Sequence, residues 1–278
     1  MSQSFDSLLQ VMAKLRAPDG CPWDRQQTHA SLKPYLLEEA YEVLEIIDQD
    51  NPARLREELG DVLLQVLFHA QIGTESGTFT IDDILRSLTE KLIRRHPHVF
   101  GTPEQKDHAL DSEEVKTRWE RIKREERKKS GQAGSLLDGV PKTLPALLRA
   151  YQIQARASRI GLDWARMEEV LQKLEEELQE LRDAMAALAA SSANRTDSDE
   201  ILRIAVEAEF GDVLFTLVNL ARFLKVNPEE ALRKTVTRFM SRVHFLETHA
   251  GASGRNLEDM TQTELDALWE EAKQNTQA

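Results

Sequence analysis

Cysteine is almost absent from this sequence: Cys21 is the single one among 278 residues. One cysteine cannot close an intrachain disulfide, and there is no Cys-x-x-Cys or Cys/His pattern that would hold a structural zinc ion. Cys21 is therefore expected to be a small, buried apolar residue.

Long apolar runs and an excess of basic residues are also missing. No segment reaches the roughly 18 consecutive apolar residues of a membrane span, and residues 1–10 lack the basic and apolar regions of a signal peptide. The formal net charge of −12 does not provide the basic face that a nucleic-acid binder needs. We therefore expect a cytoplasmic protein whose partners include neither a membrane nor a nucleic acid.

The alternating pattern of a half-buried strand is missing as well. Apolar residues recur at helical spacing along nearly the whole chain, which predicts an all-α fold. Trp23 and Trp164 are expected to pack in its core, and residues 17–24 are expected to form an irregular loop. The predicted helices cover about residues 5–16, 31–49, 52–72, 81–95, 112–129, 145–159, 167–190, 228–249 and 261–273, with one more that carries Glu209 and ends near residue 225.

A segment rich in glycine, serine and proline divides the chain. It covers residues 128–145 and is predicted to be a linker between domains. The order of helix types before the linker is repeated after it, which is typical of an internal repeat. We therefore predict two tandem helical bundle domains, residues 1–127 and 146–278.

An acidic cluster is present twice. Each copy has Glu-Glu-x-x-Glu followed later by Glu-x-x-Asp. The residues are Glu38, Glu39, Glu42, Glu58 and Asp61 in the first copy, and Glu176, Glu177, Glu180, Glu209 and Asp212 in the second. Helical residues three or four apart share a face, so two such helices side by side would bring four carboxylates together.

Clustered carboxylates need a compensating cation. Two like charges about 4 Å apart repel by roughly 4 kcal/mol at an effective dielectric near 20, and a hard divalent cation such as Mg²⁺ removes that cost. A single Glu-rich helix is more often a solvated surface. Here Asp61 and Asp212 precede apolar residues, where an acid is costly unless it is paired or metal-bound, and the pattern occurs in two tandem copies. The sequence therefore predicts metal sites.

Each acidic cluster is followed by a basic helix and then by a tryptophan. The residues are Lys91, Arg95 and Trp119 in the first copy, and Arg238, Arg242 and Trp269 in the second. We expect the cations to neutralise phosphate charge that a metal leaves uncovered. The tryptophans are placed to pack against a base or sugar.

The two copies differ mainly in the middle. Glu42 and Glu58 are 16 residues apart, whereas Glu180 and Glu209 are 29 apart. The excess falls on residues 186–199, which are predicted to form a flexible loop. This difference leaves open how the two helices of the second copy are aligned.

Two other chemistries lack their motifs. A di-iron bundle uses Glu-x-x-His, and none of the seven histidines has a glutamate three residues before it. A P-loop needs Gly-Lys, and that pair does not occur. The carboxylate clusters favour Mg²⁺-dependent displacement at phosphorus, in which bound ions activate a water and stabilise the leaving oxygen.

These residues resemble the MazG family of nucleoside triphosphate pyrophosphohydrolases, in its tandem two-domain form. The similarity covers nearly the whole chain. It includes Gly-Cys-Pro-Trp-Asp-Arg-Gln-Gln-Thr-His (20–29), Glu-Glu-Ala-Tyr-Glu (38–42), Glu-Leu-Gly-Asp-Val-Leu-Leu-Gln-Val (58–66), Arg-Arg-His-Pro-His-Val-Phe-Gly (94–101) and Arg-Ile-Gly-Leu-Asp-Trp (159–164).

The resemblance implies helical bundles assembled as a homodimer. It also implies Mg²⁺-dependent hydrolysis of NTPs and dNTPs to the monophosphate and pyrophosphate, with Mn²⁺ as a possible substitute. Carried over by position, Glu38 and Glu176 would orient the attacking water, and the C-terminal copy is expected to carry most of the activity. The implied metal ligands are Glu39, Glu42, Glu58, Asp61, Glu177, Glu180, Glu209 and Asp212, and the implied nucleotide contacts are Arg238, Arg242 and Trp269.

Two rival functions stay open at this point. One is a narrower pyrophosphatase for dUTP or a damaged dNTP. The other is a non-catalytic, acidic helical dimer that binds a protein partner. The basic pairs after each cluster favour the enzyme, because a metal buffer would not need cations near its carboxylates.

Overall fold

The computed structural model describes residues 3–102, 111–129, 135, 137–191 and 197–276. All regular elements within these residues are helices, which confirms the all-α prediction. They are α1 (Gln3–Arg16), α2 (Pro22–Gln26), α3 (Lys33–Asp48), α4 (Pro52–Glu75), α5 (Ile81–Arg95), α6 (Pro97–Phe100), α7 (Ser112–Lys129), α8 (Ala146–Ser158), α9 (Met167–Ala190), α10 (Asp197–Phe223), α11 (Pro228–Ala252) and α12 (Gln262–Asn275), with a 3₁₀ turn at Leu257–Asp259.

Local capping chemistry determines where the helices begin. Asn51 and Asn227 each precede a proline, and their side chains accept hydrogen bonds from backbone N–H groups of the first turn. Thr80 and Thr261 each form a capping box with the acid three residues later. The positions where these helices start agree with the predicted positions, because each capping residue binds groups that lie within four residues of it in the sequence.

Two predicted loops turn out differently. The irregular loop over 17–24 contains the start of the short helix α2. The single-turn helix α6, which was not predicted, is separated from the end of α5 by one residue. Residues 186–190 belong to α9 and not to a flexible loop, because Ala-Ala-Leu-Ala-Ala consists of the strongest helix formers. Of that predicted loop, residues 192–196 lie outside the described residues, as do 130–134 and 136 of the predicted linker.

The chain divides into two compact units, residues 1–133 and 134–278. In unit 1, α4 is the central helix and contacts α1, α3 and α5, while α7 contacts α5. The buried core contains Met12, Leu32, Leu67 and Phe68. This arrangement places α3 and α4, which carry the first acidic cluster, side by side.

Unit 2 is built around α10. This helix contacts α8 and α9, and α11 contacts α8 and α12. Val170 on α9 and Val218 on α10 are among its most completely buried side chains. The second acidic cluster is therefore also carried by two adjacent helices, and the basic helix α11 adjoins them through α8.

Three side chains are less buried than predicted. Trp23 is 48% exposed and Trp164 is 41% exposed, so the expectation that both pack in the core was wrong. Trp23 contacts Tyr35 and Phe68 edge-on, which covers only part of its ring. Cys21 is half-buried and not fully buried.

In the described part of the chain, none of the helices combines the length and the apolarity that crossing a bilayer requires.

Candidate functional site

Three carboxylates of unit 1 converge between α3 and α4. Oxygens of Glu39, Glu58 and Asp61 all lie within 4.8 Å of one another, and we call this set acidic group 1. Each of the three side chains is half-buried. Glu42, one turn after Glu39, is exposed and lies close enough to Glu58 to share a hydrogen bond with it.

The crowding in acidic group 1 changes its protonation. Burial raises the pKa of Glu39, and the nearby charges of Asp61 and Glu42 raise it further. Partial desolvation also raises the pKa of Glu42, with a further contribution from the charge of Glu58. Both shifts have the causes expected for like charges gathered without a cation.

Gln65 lies one turn after Asp61 and was not assigned a role from the sequence. It is 4% exposed, and its Nε2 donates to Oε1 of Glu39 at 3.5 Å. Its own Oε1 is buried without a hydrogen-bond partner among the described residues. A buried acceptor that is unsatisfied beside three carboxylates fits a hard cation or its water as the missing partner.

Unit 2 repeats this arrangement between α9 and α10. Oxygens of Glu177, Glu180 and Glu209 lie within 4.8 Å of one another, and we call this set acidic group 2. Partial burial raises the pKa of Glu180, and a hydrogen bond with Glu177 raises it further. The longer spacing between the two motifs in this copy therefore does not misalign the helices.

A lysine enters acidic group 2. Nζ of Lys173 lies 2.8 Å from Glu176 and 2.9 Å from Glu177. These hydrogen bonds raise the pKa of Lys173, so it remains charged. Lys173 was missed in the sequence, although its i, i+4 spacing to Glu177 was a usable signal.

The two acidic groups are not identical. Asp61 belongs to group 1, but its counterpart Asp212 is exposed and lies outside the three carboxylates of group 2. Lys173 has Tyr35 as its counterpart in unit 1, and Thr216 corresponds to Gln65. The same backbone arrangement therefore carries different charges in the two units.

In unit 1, the predicted phosphate-binding residues form contacts at the end of α5. Arg95 forms an ion pair with Glu126 of α7. Its Nη2 donates to Oε2 at 2.6 Å, and its Nε donates to Oε2 at 3.2 Å and to Oε1 at 3.4 Å. Trp119 lies 5.8 Å from the ring of His96, and Nζ of Lys123 lies 6.0 Å from Trp119. Lys91 is half-buried one turn before Arg95.

In unit 2, the corresponding residues contact one another on α11 and α12. The guanidinium of Arg242 lies 5.7 Å from the centre of the Trp269 ring, which also contacts Phe239. Nε of Arg242 donates to Oγ1 of Thr276 at 3.2 Å. Arg238, one turn earlier, donates to Thr235. The Trp269 ring is half-buried. A planar cation beside an aromatic ring is a suitable surface for a nucleotide.

The raised carboxyl pKa values predict how stability depends on pH. Glu39, Glu42 and Glu180 bind protons more readily when folded than at their ordinary value of 4.5. The folded state therefore holds more protons than the unfolded state as pH rises from about 4.5, and these groups lower the free energy of unfolding across that window. Denaturant unfolding of metal-free protein at several pH values is expected to show this loss, and Glu39→Gln with Glu180→Gln should reduce it.

Mg²⁺ should restore the free energy of unfolding that the metal-free protein loses as the pH rises. A ligand that binds only the folded state adds about 2.7 kcal/mol at a hundredfold excess over Kd. We therefore expect a higher melting temperature with Mg²⁺ at neutral pH, and a smaller Mg²⁺ response in the double variant. If parent and variant respond equally to both pH and Mg²⁺, the acidic groups are not the metal sites.

Both units are similar to known proteins. The family model described as the MazG nucleotide pyrophosphohydrolase domain matches residues 27–100 and 166–245, and each match contains one acidic group. A Thermotoga maritima protein named nucleoside triphosphate pyrophosphohydrolase/pyrophosphatase MazG is 47% identical over 97% of this chain and 95% of its own length.

Two further relatives align over nearly the whole chain. An Escherichia coli K12 protein named nucleoside triphosphate pyrophosphohydrolase is 40% identical over 97% of both chains. An uncharacterized Bacillus subtilis protein is 45% identical over 97% of this chain, which spans about half (52%) of that longer protein. The two domain matches together cover more than half of the residues. The chain therefore belongs to the MazG nucleotide pyrophosphohydrolase family, with its domain present twice.

Proposed function

We propose that this protein hydrolyses nucleoside triphosphates, both NTPs and dNTPs, to the monophosphate and pyrophosphate in a Mg²⁺-dependent reaction. The observation that carries the proposal is the convergence of three carboxylates in each MazG domain. The names of the Thermotoga and Escherichia relatives support the same substrate class.

The proposed metal ligands come from both helices of each pair. They are Glu177, Glu180, Glu209 and Asp212 in unit 2, and Glu39, Glu42, Glu58 and Asp61 in unit 1. Mg²⁺, or Mn²⁺ in its place, would supply charge neutralisation for the phosphates and activation of a water. The donor set fits such an ion because it consists of carboxylate oxygens, with the amide oxygen of Gln65 nearby in unit 1.

We assign Glu176 to orient the water that attacks the α-phosphorus, with Glu38 in the same place in unit 1. Lys173 supports this assignment, because it holds Glu176 and Glu177 on adjacent positions of α9. A carboxylate held in this position can accept a proton from the water.

The phosphates and the nucleoside need separate contacts. We assign Arg238 and Arg242 to the phosphates and Trp269 to the base or sugar, with Lys91, Arg95 and Trp119 as their counterparts in unit 1. The support is the contact between Arg242 and Trp269, which presents a cation and an aromatic face together. The guanidinium offers paired N–H donors that match phosphate oxygens.

We also propose that the protein is a homodimer and that unit 2 carries most of the activity. Leu59 of unit 1 is 51% exposed, and Phe210, its counterpart in unit 2, is 55% exposed. The exposure of a large apolar side chain at the same place in both repeats supports a contact surface between chains. The proposed domain boundaries remain 1–127 and 146–278, with 128–145 as the linker.

The products identify the reaction. With purified protein and NTPs labelled on the α- or γ-phosphate, we expect labelled monophosphate and labelled pyrophosphate, only when Mg²⁺ is present. Steady release of orthophosphate without pyrophosphate would contradict the proposal. Turnover of dUTP alone, among the common nucleotides, would identify a narrower pyrophosphatase, and no turnover of any nucleotide would favour a binding protein.

A further inference from the structure

The residue seven positions after each tryptophan differs between the two units. It is Glu126 in unit 1 and Thr276 in unit 2. Each one contacts the arginine at the matching position of the repeat, which is Arg95 or Arg242. The two pairs are therefore equivalent in sequence and in contact, and they differ in the charge of the partner.

In unit 1 the partner is a charged carboxylate. Glu126 accepts hydrogen bonds from Nε and Nη2 of Arg95, and its Oε1 accepts another from Nε of Arg94 at 2.6 Å. The side chains of Arg95 and Glu126 are 19% and 22% exposed. The hydrogen bonds from Arg95 and Arg94 lower the pKa of Glu126, so it is ionised at neutral pH. The carboxylate therefore occupies the Nε–Nη2 edge of Arg95, which is an edge that a phosphate would use.

In unit 2 the partner is a neutral hydroxyl. Thr276 accepts one hydrogen bond from Nε of Arg242 and donates its own proton to the carbonyl of Ala272. Among the contacts of the described residues, this bond takes one of the five N–H donors of Arg242. The remaining donors lie on a guanidinium placed over Trp269. Within the described part of the chain, the contacts of Arg242 include no ion pair with a carboxylate.

We infer that Glu126 lowers the affinity of unit 1 for a triphosphate by occupying Arg95, and that Thr276 leaves Arg242 able to bind one in unit 2. The inference rests on the proposed function, in which both arginines contact phosphate. A phosphate that reaches Arg95 must displace or lie beside a carboxylate, and like charges repel at that distance. Glu126 therefore distinguishes the nucleotide affinity of two sites whose arginines occupy matching positions.

Equilibrium binding tests this without relying on turnover. The probe is Mg²⁺ with an NTP analogue whose α–β bridging oxygen is replaced by methylene, titrated into the full-length protein by calorimetry. In a background with Glu177→Gln, which weakens unit 2, Glu126→Thr and Glu126→Gln are expected to tighten binding by about tenfold or more. In a background with Glu39→Gln, Thr276→Glu should weaken binding by about tenfold or more, whereas Thr276→Gln should not.

The matched variants keep the test decisive. Glu126→Gln retains the size of the side chain and removes only its charge, and Thr276→Glu adds the charge in the other unit, so a folding defect in Glu126→Thr does not decide the result. Unchanged or weaker binding in Glu126→Gln, or equal binding in Thr276→Glu and Thr276→Gln, would overturn the inference. Absence of binding in every variant would also overturn it. If the variants bind as expected but the parent releases no pyrophosphate from labelled NTPs, the proposed reaction fails and the inference stands.

Discussion

Glu177→Gln is expected to lower kcat/KM for NTP hydrolysis by about 100-fold or more, which corresponds to about 3 kcal/mol in the barrier. Glu177 is the most buried carboxylate of acidic group 2, at 7% exposed, and it is held by Lys173. Glutamine keeps the shape of the side chain but removes the charge that a divalent cation needs. Steady-state kinetics at saturating Mg²⁺ would measure the effect.

Two control variants distinguish an effect on acidic group 2 from a general effect on α9 and from an effect on unit 1. Glu175→Gln changes an exposed neighbour on α9, outside acidic group 2, and should leave activity close to that of the parent. Glu39→Gln makes the equivalent change in unit 1 and should cost much less if unit 2 carries most of the activity. The ranking of the two units is wrong if Glu39→Gln abolishes turnover and Glu177→Gln does not.

Asp212→Asn extends the same test. Asp212 is a proposed ligand, so its substitution should nearly abolish turnover, but it lies outside the three carboxylates that converge in the structure. Its effect on Mg²⁺-linked melting of the substrate-free protein should therefore be smaller than that of Glu177→Gln. If Asp61→Asn stops turnover while Asp212→Asn does not, unit 1 is the main site.

Leu59→Asp combined with Phe210→Asp is expected to convert a dimer into a monomer. Both residues are exposed on a single chain and occupy the same position of the repeat, so each unit offers its own apolar contact surface. Burying one such side chain contributes about 2 kcal/mol, and a carboxylate in the same place adds a desolvation cost. Light scattering at micromolar concentration should give twice 31.7 kDa for the parent and 31.7 kDa for the double variant.

The single variants and a control complete this experiment. Each single variant should only weaken association, because the other unit keeps its contact surface. Gln10→Asp with Gln274→Asp places the same charges on exposed polar positions, one in each unit, and should not change the mass. A parent that already has the mass of one chain would contradict the homodimer proposal.

Features that depend on nearby residues could be predicted from the sequence. The caps at Thr80 and Asn227 lie within four residues of the groups they bind, and the pairing of Glu177 with Glu180 follows from helical geometry. Features that depend on tertiary contacts could not. Glu126 binds Arg95 across 31 residues, and its role appears only when α7 lies against α5.

Burial and the extent of the loop after α9 were predicted less well. The exposure of Trp23 and Trp164 depends on how neighbouring elements cover each ring, and a hydrophobic side chain does not specify that. The predicted loop over 186–199 followed from its small and polar residues. The alanine-rich start of that segment belongs to α9, in agreement with the predicted helix over 167–190, because alanine and leucine have high helix propensity.

The two helix pairs that carry the acidic groups differ in how far their helices extend from the ligands toward the segment that connects them. Six residues follow Glu42 in α3 and six precede Glu58 in α4, whereas ten follow Glu180 in α9 and twelve precede Glu209 in α10. Each added residue moves the turn about 1.5 Å farther from the ligands, while the ligands stay opposite one another. The distance from the ligands to the helix ends can therefore vary without a change in the arrangement of the carboxylates. New sequence can accordingly be inserted between α9 and α10, in evolution or in protein engineering, without disturbing acidic group 2.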